Sequence, residues 1–278
     1  MLVSMVETMT KAREGMYCIP ALSAANEITV KAAIETAEEK NAPLIMLYMH
    51  TSKNPQDMLD YGYMATRLAE RATVPVSIIL DHGPNFETCM LAIRSGFSDV
   101  MLDKSSLPYE QNRDEVAAVV KVAHAVGVGV EAELGHVGEG DKYDDASNTV
   151  FTRPDEAVSF LQESGADTLA VSVGTSHGVY KGTPKINFEL LDELHRIVPA
   201  PLVIHGGSGT GEENLYKMCR MGANKLNIAN ELMQGCVKGV ETNDCTGFGA
   251  YGFFNYIHNG YKEVAAHMFD LCGATGQA

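Results

Sequence analysis

The chain contains no tryptophan, and aromatic residues make up only 7% of its 278 positions, so its core must be built from small and aliphatic side chains. No run approaches the ~18 consecutive apolar residues of a membrane span. The opening MLVSMVETMTKAREGMYCIP carries charges every few positions and no long apolar stretch, so it is not expected to be a signal peptide. Positive charge is scarce. With 21 Lys and Arg against 36 Asp and Glu, the net charge is −15, which argues against a general nucleic-acid surface or docking to an anionic membrane. A small anionic substrate stays admissible, because a local nest of backbone N–H groups with one lysine outweighs a distant field. The six cysteines (Cys18, Cys89, Cys219, Cys236, Cys245, Cys272) include no C-x-x-C pair, a pattern of reduced thiols and not of a disulfide framework. These features predict a soluble, cytoplasmic protein.

What the chain does have is a steady beat of short apolar runs bounded by turn residues. Met16 to Ser23, Leu44 to Met49, Val76 to His82 and Asp99 to Ser105 are the first four. Val128 to Gly135, Thr168 to Gly174, Leu202 to Gly207 and Lys225 to Ala229 are the second four. Each reads as a strand buried on both faces, as parallel strands are. Helical spacing lies between them, as in Val116, Val119, Val120 and Ala123, with Pro108 as a helix opener. The strand entries SGFSDVMLD, SGADTLAVS and MGANKLNIA share one design, in which a glycine ends the helix and a polar residue launches the strand. Eight strands alternating with helices predict an α/β fold, a (β/α)8 TIM barrel, with a doubly wound open sheet as the rival. No linker divides residues 1–278, so a single barrel domain is expected, with a helical extension over about 245–278, a helix near His258 to Leu271, and a fraying end. The polar loop His136 to Asn148 is a candidate lid.

Three of these runs end on histidine: VSIILDHG on His82, LAVSVGTSHG on His177 and LVIHGGSG on His205. In a barrel the loops after the strands share one face, which holds the active site, so the three belong to one rim. A lone strand-end histidine is ordinarily a hydrogen-bonded structural residue. Three together, with a fourth position open, form the donor set of a catalytic zinc site. His50, after the second run, is a weaker candidate ligand. Asp81 precedes His82 and is placed for proton transfer, unless it merely caps the next helix. Asp103, Glu131 and Glu133 also stand at strand ends, as partners that orient the histidines, as an alternate metal position, or as a salt-bridge layer in the barrel mouth. Gly206-Gly207-Ser208-Gly209 after the seventh run and Asn227 to Asn230 at the eighth form a candidate phosphate cradle, to which SHGVYKG adds Gly178 and Lys181. A metal beside a phosphate site suits Lewis-acid chemistry on a phosphorylated carbonyl compound, the logic of a metal-dependent aldolase.

With these blocks in view, the sequence resembles the class II, zinc-dependent ketose-bisphosphate aldolases, in particular their fructose- and tagatose-bisphosphate members. The likeness is carried in order by LDHG (Leu80 to Gly83), MLDKSSLPYEQN (Met101 to Asn112), VEAELGHVG (Val130 to Gly138), SHGVYKGTPK (Ser176 to Lys185), IHGGSG (Ile204 to Gly209) and NIANEL (Asn227 to Leu232). The resemblance implies a lyase that reversibly splits a ketose (bis)phosphate into dihydroxyacetone phosphate and an aldehyde. It implies one Zn2+ on His82, His177 and His205, and admits a monovalent cation. It implies Asp81 as the acid/base at the bond being cleaved, and Gly178, Lys181, Gly206, Ser208, Asn227 and Asn230 around the phosphate. An acid on the loop after the fifth strand takes part in proton transfer; Glu139 is the choice here, with Asp141 second. Asp103 and Glu133 remain partners behind the histidines or an alternate metal position. A homodimer or a dimer-based tetramer is implied as well.

The chain also departs from the family pattern. Asp103-Lys104-Ser105 replaces a common D-G-S, Asn230 stands where Thr or Asp is usual, and Ala21-Leu22-Ser23 replaces A-F-N. Met49 takes a place often given to a small hydroxyl residue, and no arginine follows Arg220. The dihydroxyacetone-phosphate half is thus intact, while the aldehyde half is altered. Rival readings are a ketose without the distal phosphate, a Schiff-base aldolase using Lys104, a metal-dependent hydrolase, and a non-catalytic sugar-phosphate-binding subunit.

Overall fold

A strand buried on both faces needs an apolar or paired side chain at almost every position, and eight segments of this chain meet that demand. In a computed structural model, which describes residues 1–51, 56–142, 149–178 and 180–278, these are β1 (Ile19–Ser23), β2 (Leu44–Met49), β3 (Val76–Gly83), β4 (Asp99–Leu102), β5 (Gly129–Leu134), β6 (Thr168–Val171), β7 (Leu202–Ile204) and β8 (Ala223–Ile228). Each pairs in parallel with the next, and β8 returns to β1, closing a (β/α)8 barrel. Helix α1 (Met5–Gly15) precedes β1. The strands are followed in turn by α2 (Glu27–Lys40), α3 (Met58–Arg71), α4 (Phe86–Arg94), α5 (Tyr109–Ala125), α6 (Pro154–Ser164), α7 (Phe188–Ile197), α8 (Glu212–Arg220) and α9 (Asn230–Glu241), and α10 (Phe253–Cys272) comes last. Among the described residues no helix is long and apolar enough to cross a membrane.

Side-chain caps fix where the helices begin and so hold the strand ends level. The Asn26 side-chain Oδ1 accepts the N–H groups of Ile28 and Thr29, both at 3.1 Å, while Thr29 Oγ1 accepts the Asn26 N–H. The side-chain oxygens of Asp57, Asn85 and Asn187 cap α3, α4 and α7 by accepting the N–H groups of Asp60, Thr88 and Leu190. Asn85 rather than Asp81 caps the helix after β3, which leaves Asp81 for another role.

Several boundaries differ from expectation. Met16 lies in the left-handed region at φ 54° and closes α1, so β1 starts only at Ile19. The chain end does not fray: the Gly276 and Ala278 N–H groups donate to the Lys40 and Asn41 carbonyls at 2.9 and 3.0 Å. The last long helix begins earlier than expected, at Phe253, directly after a 3-10 segment over Gly247–Gly252. Helix α10 lies close on α9 because both carry glycine at the crossing; a Cβ on Gly260 would stand 2.1 Å from the Gly235 carbonyl oxygen.

Helix α1 is tied to the barrel by Asp99, the first residue of β4. Its carboxylate accepts Ser4 Oγ at 2.6 Å, the Met5 N–H at 2.8 Å and Ser98 Oγ at 2.7 Å. Burial pushes this carboxyl up to about 6, although the three donors oppose the shift. A carboxyl whose folded pKa is raised stabilises the fold when protonated, fully so below its ordinary value of 3.8, and that contribution is lost as the pH rises through about 6. Its size is on the order of 3 kcal/mol. Urea unfolding at stepped pH should therefore show the wild type losing this increment between pH 4 and 7 relative to Asp99→Asn. Parallel profiles for the two proteins would exclude the assignment.

Candidate active site

All strand C-termini point to one rim of the barrel, and the three predicted histidines meet there. His82 sits where β3 slips register against β4 between Leu80 and Gly83, and its φ of 48° is left-handed. That conformation is unfavourable for a non-glycine residue and here turns the ring away from the strand. Nδ1 of His82 lies 2.7 Å from Asp103 Oδ2. Its Nε2 faces His177 Nε2 at 3.1 Å and His205 Nδ1 at 2.8 Å. His205 is fully buried, with Nε2 2.9 Å from Glu131 Oε1. Both Glu131 oxygens accept from Lys225 Nζ, at 2.9 and 2.8 Å, inside the barrel.

These partners set the tautomers. A carboxylate can only accept, so Asp103 takes the Nδ1–H of His82 and Glu131 takes the Nε2–H of His205. The remaining lone pairs of both rings then point inward. One ligating nitrogen from each of the three histidines lies within 4.8 Å of the others. A proton on His82 Nε2 is a single donor for two facing nitrogens, so protons alone satisfy this cluster poorly. Three converging imidazole nitrogens backed by carboxylates fit a borderline divalent cation such as Zn2+.

The electrostatics agree with that fit. Burial disfavours charge on His82, but Asp81, the Asp103 hydrogen bond and Glu133 outweigh it and push the ring up to about 10. Burial, then the charge on His82, brings His177 down to about 4 and His205 well below the ordinary range. Asp103 is held well below the usual carboxylate range by its hydrogen bond to His82, against the effect of burial. Burial and the neighbouring Asp103 push Glu133 up to about 8; its Oε1 accepts the Val137 N–H at 2.9 Å. Among the described residues its buried Oε2 has no hydrogen-bond partner. The carboxylates of the rim thus favour one positive charge among the histidines, carried by a proton on His82 when no metal is bound.

Asp81 is 5% exposed and stands at the same rim. Its Oδ1 accepts from Asn227 Nδ2 at 3.0 Å and lies 3.9 Å from His205 Nδ1. Asn227, expected at the phosphate, therefore also orients Asp81. Around the cradle, Ser208 Oγ accepts the Ala229 and Asn230 N–H groups, both at 3.2 Å. The Gly209 N–H donates to Glu231 Oε1 at 2.8 Å. Gly206 has φ 66°, and a Cβ there would lie 2.4 Å from the Ser176 carbonyl oxygen, so only glycine fits. Gly178, at φ 81°, and the exposed Lys181 follow His177, and the Lys181 N–H donates to the Gly140 carbonyl at 3.0 Å.

The loop after β5 runs beside His177. The His177 N–H donates to the Gly138 carbonyl at 2.8 Å, and the Gly140 N–H to the His177 carbonyl at 2.6 Å. This brings the backbone of Glu139 to the site with its side chain exposed, and Asp141 is exposed as well. Part of the candidate lid, 143–148, lies outside the described residues. His50 is exposed and is not among the converging histidines.

Three participants were not foreseen. Lys225 in β8 is fully buried in the barrel interior. His136 Nδ1 lies 2.9 Å from Ser105 Oγ, which itself donates to Asp103. The Tyr180 hydroxyl accepts the Ser176 N–H at 2.6 Å and lies 3.1 Å from both the Gly206 carbonyl and Thr210 Oγ1, pinning the loops after β6 and β7 together. Lys104, by contrast, pairs with Glu115 on α5 at 3.1 Å and does not enter the barrel mouth. The Lys225 nitrogen is engaged by both Glu131 oxygens inside the barrel, so it is not placed for attack on a carbonyl. Borohydride reduction in the presence of substrate should leave no covalent adduct by mass spectrometry; an adduct on either lysine would restore the Schiff-base reading.

A parallel barrel with converging imidazoles and an acid at its C-terminal rim defines a class of carbon–carbon lyases and metal-assisted hydrolases. Comparison with known proteins makes the choice. The family described as fructose-bisphosphate aldolase class-II matches residues 3–277. The chain is 34% identical to the fructose-bisphosphate aldolase of Thermus caldophilus, with 100% of both chains covered. It is 36% identical to that of Staphylococcus epidermidis, over 86% of this chain and 85% of the relative. The crystal structure of the YdjI aldolase from Escherichia coli K12 superposes with a TM-score of 0.90 at 30% identity, covering 100% of each chain. The chain belongs to the class-II fructose-bisphosphate aldolase family, and it is an aldolase, a lyase.

Proposed function

We propose that this aldolase is metal-dependent and reversibly cleaves a phosphorylated ketose, such as fructose or tagatose 1,6-bisphosphate, into dihydroxyacetone phosphate and an aldehyde. The observation that carries the reading is the convergence of His82, His177 and His205 with lone pairs aimed inward by Asp103 and Glu131. These three would hold one Zn2+, which supplies a Lewis acid for the substrate carbonyl and for the negative charge that follows bond cleavage. Asp81 takes the proton from the hydroxyl at the bond being broken. Asn227 occupies one of its oxygens, leaving the other to receive that proton. Glu139, on the loop beside His177, returns a proton to carbon, with Asp141 next along the same loop. The backbone of Gly178, Gly206 and Ser208, with Lys181 and Asn230, holds the phosphate.

The altered aldehyde half supports a second reading, a ketose without a distal phosphate. No arginine follows Arg220, and Arg220 itself donates to the Leu271 and Cys272 carbonyls at 3.4 and 3.2 Å, away from the rim. We read residues 1–278 as one barrel domain with a C-terminal helical extension, assembled as a homodimer or dimer-based tetramer in the cytoplasm. The exposed Phe248, Tyr251 and Phe254 support an interface near that extension. Cleavage assays across fructose, tagatose and monophosphorylated ketoses, with metal content measured in parallel, test the function. A chelator should abolish turnover and added Zn2+ restore it, whereas full activity in metal-free protein would refute metal dependence.

A further inference from the structure

At the opposite end of the barrel from the histidines, three cysteines meet. Cys18 stands immediately before β1, Cys219 in the last turn of α8, and Cys272 at the end of α10. They are 0%, 1% and 0% exposed, and their sulfur atoms lie within 4.8 Å of one another. The geometry assigns to Cys18, Cys219 and Cys272 a second metal site, a three-thiolate pocket for one soft divalent cation.

Several features support a ligand set over simple packing. The three residues come from segments far apart in sequence and are held in place by the backbone: the Cys18 N–H donates to the Cys272 carbonyl at 3.1 Å. The Arg220 guanidinium lies against the Cys272 carbonyl, at 3.2 Å. Gly273, with φ 77°, leaves room for it, since a Cβ there would come within 2.9 Å of Nη2. Cys89 and Cys245 lie outside the cluster and donate to backbone carbonyls at 3.7 Å each, while the Cys18 thiol reaches the Ile19 carbonyl at a longer 3.9 Å.

Sulfur ligands select soft or borderline cations over Mg2+ and Ca2+. Among the described residues the group has three members, with no His, Asp or Glu added, so the coordination is all sulfur. Binding replaces the S–H protons, which leave to solvent, and the three thiolates with a dication carry one net negative charge beside the Arg220 cation. The site would clamp the entrance of β1 to α8 and α10, and metal binding would add directly to fold stability.

The probe is Cd2+ titrated into reduced enzyme. The expected result is a sulfur-to-cadmium charge-transfer band that saturates at one ion per chain, together with a cadmium NMR resonance in the sulfur-ligated range, distinct from any imidazole-bound signal. Cys219→Ala and Cys272→Ala should lose both signals while keeping their circular dichroism and, without cadmium, their aldolase activity. Cys236→Ala and Cys245→Ala should keep both signals. If the alanine variants do not fold, the wild-type resonance decides alone. Absence of a sulfur-ligated resonance, its persistence in both variants, or a disulfide between any two of the three in freshly purified protein would overturn the assignment.

Discussion

Replacing Asp81 with alanine is expected to lower the rate of carbon–carbon cleavage by about 10²–10⁴-fold, the range for loss of a positioned general acid or base, while the metal content of the protein is unchanged. The separation of these two readouts follows from the geometry. Asp81 lies at the rim, 3.9 Å from His205, but the carboxylates that orient the histidines are Asp103 and Glu131. Among the described residues, the side-chain hydrogen bond to Asp81 comes from Asn227, at 3.0 Å. A purely structural carboxylate in that position would show the reverse pattern: metal lost, and turnover per bound metal preserved. Asn227→Ala should give a smaller fall in turnover of the same kind, because Asp81 keeps its chemistry and loses its orientation. Steady-state kinetics with metal analysis on the same samples separate the cases.

Lys225→Met is expected to cost about 3–5 kcal/mol, the penalty for leaving one member of a buried ion pair uncompensated. Lys225 and Glu131 are both 0% exposed, and the ammonium contacts both carboxylate oxygens. Without it, among the described residues Glu131 keeps the His205 contact, at 2.9 Å. The carboxylate must then take up a proton or draw one toward His205. Thermal unfolding should shift down by on the order of 10 °C, and metal affinity should weaken as the His205 tautomer is no longer fixed. The double variant Lys225→Met with Glu131→Gln removes the unpaired charge yet leaves an amide oxygen for the His205 N–H. It should recover most of the stability. A double variant no more stable than the single one would show that the lysine acts through packing and not through charge.

The barrel was legible because parallel strands covered on both sides write themselves as uninterrupted apolar runs. The rim histidines were legible because each closes such a run. The same rule hid Lys225. Its segment, KLNIA, reads as a strand launched by a surface polar residue, whereas β8 begins two positions earlier, at Ala223, and carries the lysine inside. Its partner Glu131 lies in β5, and no local pattern connects strands across a barrel interior. Lys104 drew attention by its place in DKSS, but it turns outward to α5 while its neighbour Asp103 turns to His82. His136 and Tyr180 stand on loops, where side-chain direction depends on turns that composition does not encode. The chain end was expected to fray on its small and polar residues, and is held instead by backbone hydrogen bonds to the end of α2.

The Tyr180 hydroxyl binds the backbone just before His177 to the backbone just after His205. Under the proposed assignments, those two stretches carry both the metal ligands and part of the phosphate cradle. A phosphate that stiffens the cradle therefore stiffens two arms of the metal site. By thermodynamic reciprocity, bound metal strengthens phosphate binding by the same factor. Under those assignments the substrate's phosphate would act as an effector of the metal site as well as a handle.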